Sequence, residues 1–136
     1  TYFGYYFPWD VFENYNYVKK NTIFHLGKER TIGTFTNYDS LDDKMDDLYY
    51  YMQFIKFGFG RCNRDVSRHI QKKHLKTNEG LRLIKKYDGE FPKKNLNIFL
   101  DFLDLDKNSF FDIINQHRNS QIWQKKGNNF QLISKL

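Results

Sequence analysis

The chain reads as mainly α: five to six packed helices with at most a few short strands. Three observations carry that reading. Apolar residues recur at three- and four-residue spacings through most of the length, Asp, Ser and Thr stand where those stretches begin, and glycines stand where they end. The 136 residues suit one domain at ~100–200 residues per domain, long enough to bury a core without disulfides or metals.

Each element has its own signals. Tyr2–Phe7 reads as the end of a strand. Asp10 can cap a helix running to about Lys20, with Glu13 at the capping-box spacing. Residues 21–36 alternate poorly and contain Gly27 and Gly33, so they read as a loop with short strands at Ile23–Leu26 and Thr31–Phe35. Ser40 is the next N-cap. Leu41, Met45, Leu48, Met52, Ile55 and Phe59 follow in steps of three and four, the stripe of a half-buried helix. Gly58 and Gly60 end it. A basic helix follows from about Cys62 to His74, with Val66 and Ile70 inward. Thr77 caps a helix that carries Leu81, Ile84 and Tyr87 and stops at Gly89. Pro92 starts another, with Leu96, Phe99, Leu100 and Leu103 as its apolar face. Asp106 caps a last helix bearing Phe110, Phe111, Ile113, Ile114 and His117. A short strand, Phe130–Ser134, follows the Gly127-Asn128-Asn129 turn.

Composition narrows the class of function. The formal charge of +6 favours anionic partners such as phosphates, sugar nucleotides or nucleic acid. Lys outnumbers Arg 16 to 6 and Ala is absent. That bias marks AT-rich coding, and it equally describes a solvated lysine-rich surface. The single cysteine, Cys62, excludes an intramolecular disulfide and fits a reducing, cytoplasmic setting. No apolar run approaches the ~20 residues that span a bilayer. The first ten residues lack the basic region and cleavage site of a signal peptide.

Several clusters can carry chemistry, and each has a plainer alternative. Lys56 and Arg61 bracket Gly58 and Gly60 in KFGFGR. Glycines admit a ligand close to the backbone and the cations can hold phosphate oxygens; otherwise the segment is a hinge between helices. Arg61, Arg64, Arg68 and Lys72 make one basic helix face, for a phosphate backbone or for solvent. Asp42, Asp43, Asp46 and Asp47 crowd a helix start, where carboxylates favour the dipole; the alternative is a Mg²⁺ or sugar-hydroxyl site. Asp42, Asp46, Tyr49, Gln53 and Lys56 form a polar row that can line a cleft. Trp9 and Asp10, with Glu13 and Asn14, offer a shelf for a sugar or purine, or a packing corner. His69 and His74, five apart on one predicted helix, diverge, and the histidines lack metal-ligand spacing, so no metal site is expected. Cys62 beside Arg61 and Arg64 is either a thiol of lowered pKa or, better supported, a buried structural residue.

Taken in order, several blocks resemble the C-terminal part of the N-acetyl sugar amidotransferases, PP-loop enzymes of pseudaminic acid and related surface-glycan pathways. They are Tyr5-Tyr6-Phe7-Pro8-Trp9-Asp10, Gly33-Thr34-Phe35-Thr36-Asn37-Tyr38, Ser40-Leu41-Asp42-Asp43-Lys44, Ile55-Lys56-Phe57-Gly58-Phe59-Gly60-Arg61, Asp65-Val66-Ser67 and Lys86-Tyr87-Asp88-Gly89-Glu90-Phe91-Pro92. The chain departs from the family pattern at Tyr49-Tyr50-Tyr51 and at Ser67-Arg68-His69-Ile70-Gln71.

The resemblance implies ATP-dependent conversion of a sugar acetamido group to an acetamidino group, in pseudaminic acid, flagellin-glycan or LPS O-antigen biosynthesis. It implies ATP and Mg²⁺ as cofactors of the intact enzyme, a sugar or nucleotide-sugar substrate, and a glutaminase partner that supplies ammonia. It places residues 1–9 as the last strand of an N-terminal ATP-binding domain and 10–136 as a helical C-terminal domain. The PP-loop belongs upstream, so the residues here are expected to be inactive alone. Lys56, Gly58, Gly60 and Arg61 are then expected on nucleotide phosphates, and Trp9, Asp10, Asn37, Asp42, Asp43 and Lys44 on the sugar. A nucleic-acid-binding or glutaminase-docking module is the competing reading. The lack of Phe, Tyr or Trp between Arg61 and Lys76 counts against nucleic acid.

Overall fold

A computed structural model of the protein describes residues 1–127 and 129–133. Among them are six α-helices and one two-stranded sheet. The helices are α1 (Val11–Asn21), α2 (Met45–Phe57), α3 (Arg61–Gln71), α4 (Thr77–Tyr87), α5 (Leu96–Leu103) and α6 (Lys107–Gln116). Strands β1 (Trp123–Lys126) and β2 (Asn129–Leu132) form an antiparallel hairpin with Trp123 opposite Leu132. The mainly α reading holds. Of the predicted terminal strand, Phe130 to Leu132 lie in β2; Ser134, and Asn128 of the turn, lie outside the described residues.

The stripe along α2 is buried where it is helical. Leu48 and Ile55 meet Phe99 of α5, Phe110 and Ile114 of α6, and Trp123 of β1. Each such side chain contributes about 1.5–3 kcal/mol by leaving water. The Trp123 indole N–H donates to the Ile55 carbonyl at 2.7 Å, which satisfies the one polar atom this ring carries inward. Gly58, at φ 78°, closes α2 with its N–H on the Phe54 carbonyl. Asp10 and Asp106 cap α1 and α6 through their carboxylates.

A second contact joins α3 to α4. Gly80 sits against Val66 and Ile70 so closely that a Cβ there would stand 2.5 Å from Val66 Cγ1. This glycine therefore serves helix-to-helix approach rather than a turn.

Several expectations are corrected. Tyr2–Phe7 is not a strand: Phe3–Tyr5 is a single 3₁₀ turn, and Phe3 stacks on Phe7 with centroids 4.8 Å apart. Ile23–Leu26 and Thr31–Phe35 form no strands. The second of these segments is a loop closed by Thr31 N–H to the Thr36 carbonyl and Gly27 N–H to the Asn37 carbonyl. Ser40 is not an N-cap. It adopts φ 53°, and α2 begins only at Met45, whose N–H donates to Asp43 Oδ1 at 2.7 Å. Asp side chains compete with helical backbone bonds in this way, which delays the start. Leu41 and Phe59, the ends of the predicted stripe, fall outside the helix and are exposed. Thr77 is the first residue of α4 rather than its cap; Glu79 accepts from the Lys76 N–H instead. Finally, α3 stops at Gln71, because Lys73 turns left-handed at φ 63°.

Candidate functional site

The early stop of α3 builds the site. With Lys73 left-handed, the His74 N–H returns to the His69 carbonyl at 2.9 Å, the bond of a Schellman closure. It folds His74 back beside His69, so the two rings lie 5.8 Å apart. The expectation that these histidines diverge is thus overturned: it assumed one unbroken helix.

They form one wall of a cavity of about 230 Å³. The start of α1 supplies Trp9, Asp10 and Phe12, the loop before α2 supplies Thr36, Tyr38 and Asp39, and α3 supplies Asp65, Arg68 and Lys72. The Phe12 ring packs on both imidazoles, 5.5 Å from His69 and 5.0 Å from His74.

Two hydrogen bonds set the chemistry. His74 Nε2 lies 2.7 Å from Asp10 Oδ2, while Oδ1 of the same carboxylate caps α1. Burial raises the Asp10 carboxyl, but the His74 bond and the Phe12 and Glu13 amides outweigh it and hold it below its ordinary value. The Tyr38 hydroxyl lies 2.9 Å from His69 Nε2. Burial, then the Asp65 and Asp39 charges, push Tyr38 up to about 12, so it stays a phenol and can donate. Burial, and the neighbouring His74, lower His69. It therefore stays neutral at pH 7 and can accept.

Thr36 is one of the lining residues, and its Oγ1 is buried with no hydrogen-bond partner among the described residues, a cost that a ligand's polar group would relieve. Arg68 and Lys72, one helical turn apart, add positive charge at the rim.

The predicted site residues divide. Trp9 and Asp10 line this cavity. Asn37 does not: its side chain donates to the Gly27 carbonyl and shapes the loop. Asp43 and Lys44 lie together elsewhere, in a shallow pocket with Glu29 and Lys94, and exposed Asp42 lines neither. From the polar row, Tyr49, Gln53 and Lys56 share an open groove with Phe57, Phe59 and Arg64; Asp42 and Asp46 are not part of it.

The glycine loop is already occupied. Asp88 accepts from Gly60 N–H at 2.8 Å and Asn63 N–H at 3.2 Å, so its carboxylate sits where a phosphate would meet the start of α3. Burial raises the Asp88 carboxyl although these amides pull it down. Arg61 does not face outward. Its side chain has no exposed surface, donates to the Asp39 carbonyl at 3.1 Å and lies 4.6 Å over the Tyr50 ring. The guanidinium of Arg64 lies the same distance from that ring and donates to Asp65. Of the predicted basic face, Arg68 and Lys72 line the cleft. Cys62 is buried and pushed up to about 12 by desolvation, then by Asp88 and Asp65, the reverse of an activated thiol.

The phosphate seat at α3 is filled from within, and among the described residues no group of three or more His, Cys, Asp or Glu is placed to hold a cation. Nor, among them, is any helix long and apolar enough to cross a membrane.

The residues missed from sequence are Thr36, Tyr38, His69 and His74. No local signal marked them: His74 returns because Lys73 turns left-handed at φ 63°, a conformation uncommon for a non-glycine residue.

A family model described as "LPS biosynthesis protein WbpG-like, C-terminal domain" matches residues 32–136. No curated protein matches the chain.

Proposed function

Since the chain belongs to the WbpG-like C-terminal domain family of LPS biosynthesis proteins, we propose that it forms the sugar-binding part of an ATP-dependent N-acetyl sugar amidotransferase acting in the cytoplasm. On this reading the sugar lies in the cleft of Trp9, Asp10, Thr36, Arg68 and Lys72. Trp9 is half-exposed at its mouth, suited to stack on a pyranose or a base. Arg68 and Lys72 meet the phosphate of a sugar phosphate or nucleotide sugar. Thr36 Oγ1 meets a polar group of the ring.

The single observation that carries this is the unpaired, buried hydroxyl of Thr36, a residue that lines a cleft of aromatic and cationic side chains. ATP is handled by a preceding PP-loop domain, because Asp88 fills the helix start where its phosphates were expected. A glutaminase supplies ammonia. Asp42, Asp43, Lys44 and Asn37 act at most on the shape of the neighbouring loop, and Lys56 is free for the surface that meets the ATP domain.

Titration of the chain with N-acetylglucosamine 1-phosphate, followed by tryptophan fluorescence, tests the cleft. Binding is expected to quench Trp9, and the Arg68→Ala, Lys72→Ala pair should weaken it about tenfold or more, roughly 1.4 kcal/mol. Quenching that survives Trp9→Phe and is indifferent to both cations refutes the assignment.

A further inference from the structure

We propose that His74, held by Asp10, is the general base of this cleft. The inference rests on the amidotransferase reading and names the group that takes the proton the incoming nitrogen sheds.

The two oxygens of Asp10 have separate duties: Oδ1 caps α1, and Oδ2 lies 2.7 Å from His74 Nε2. An ionised carboxylate only accepts, so in the neutral imidazole Nε2 carries the hydrogen and Nδ1 keeps its lone pair. His69 is differently placed, because its Nε2 meets the Tyr38 hydroxyl, which can donate or accept and so sets no tautomer. Of the two imidazoles on this wall, His74 is the one whose orientation and tautomer are set by a carboxylate. That is the arrangement by which an aspartate prepares a histidine to accept a proton. The Phe12 ring packs against the imidazole with centroids 5.0 Å apart.

The acetamido oxygen has been activated as a phosphoryl ester, leaving a neutral imidate carbon. Ammonia adds to that carbon and a C–N bond forms. The C=N pair shifts to the sugar nitrogen and returns as the C–O bond breaks, and the phosphate monoester leaves with the bridging oxygen and that bond's electron pair. The surplus proton on the new nitrogen passes to His74 Nδ1, and Asp10 stabilises the imidazolium. No oxidant or reductant takes part.

The test uses the complete gene product with ATP, an ammonium salt as nitrogen donor and a UDP-linked N-acetyl sugar, following the acetamido-to-acetamidino mass change. Asp10→Asn keeps the helix cap through its carbonyl oxygen but points an amide N–H₂ at His74. Nε2 must then accept, the hydrogen moves to Nδ1, and the base is lost. Asp10→Ser also caps α1, but its hydroxyl is too short to impose a tautomer. D10N is therefore expected to lose about 100-fold or more in kcat, and D10S markedly less, although the amide is the closer mimic in shape. A purely structural role predicts the opposite order. His74→Ala should lose turnover and regain part of it with added imidazole. Equal activity of D10N and D10S beside an active wild type overturns the general base alone. A wild type that forms no acetamidino product overturns the reading beneath it as well.

Discussion

Replacing Asp88 with Ala should cost the fold about 2–4 kcal/mol. The carboxylate closes the Gly58–Arg61 loop by accepting two backbone hydrogens, at 2.8 Å from Gly60 N and 3.2 Å from Asn63 N. Leaving a buried donor unpaired costs ~1–3 kcal/mol. Two such donors set the upper part of the range. Relief of the buried charge, visible in the raised Asp88 carboxyl, lowers it. For a chain of 136 residues each kcal/mol moves the melting temperature by roughly 3–4 °C, so D88A should melt roughly 7–14 °C lower. Thermal unfolding followed by circular dichroism at pH 7 measures it. Asp88→Asn keeps one oxygen and should lose about half as much. Sulfate should raise the melting temperature of D88A more than that of the wild type, because the vacated helix start can take an anion. Melting of D88A within about 2 °C of the wild type would refute this account of the glycine loop.

Gly80→Ala brings a Cβ to 2.5 Å from Val66 Cγ1; overpacking of ~1–3 kcal/mol should exceed the ~1 kcal/mol gained in helix propensity, and urea unfolding should show a net loss that Val66→Ala partly reverses in combination. Acidification from pH 7 should lower stability in two stages. His69 has a folded pKa below its unfolded value, so the unfolded chain binds more protons and stability falls from about pH 6.5 downward; the slope between pH 7 and 5 should flatten in His69→Gln. Glu90, held low by Arg30, and Asp10, held low despite burial, contribute stability that is present above the ordinary carboxylate range and lost as pH falls through their folded values. Asp88 is raised and runs the other way, so the melting temperature of D88N should fall more steeply than that of wild type between pH 5 and 3.

How far the sequence could be read depended on the range of the interaction. Asp10, Asp106 and Gly58 act on backbone groups within four residues, so their signatures are local and the elements beside them were legible. Ser40 failed because its claim rested on one cap residue, while four nearby aspartates offered competing bonds and Asp43 won. Tyr2–Phe7 had strand propensity, but a strand needs a partner and this run has none among the described residues.

The candidate site divides along the same line. Trp9 and Asp10 were legible, as an aromatic beside a cap at a helix start. The Gly58–Arg61 loop was legible as a special backbone but not as to what fills it, since Asp88 arrives from 28 residues away. Arg61 looked like a free cation because charge in a sequence carries no burial. Its side chain sits inside, against Tyr50, Asp39 and Asp65, which three separate elements supply.

Periodicity and caps thus determined the helices and the mainly α class, because helical hydrogen bonds join residues three or four apart. Which charges became buried partners, and which side chains met in a cleft, was left to packing. His69 and His74 share that cleft only because one lysine turns left-handed, and Asp10 reaches His74 across 64 residues of chain. Contacts of that separation depend on how the helices pack, and a single sequence records them only as residues that can wait for a partner.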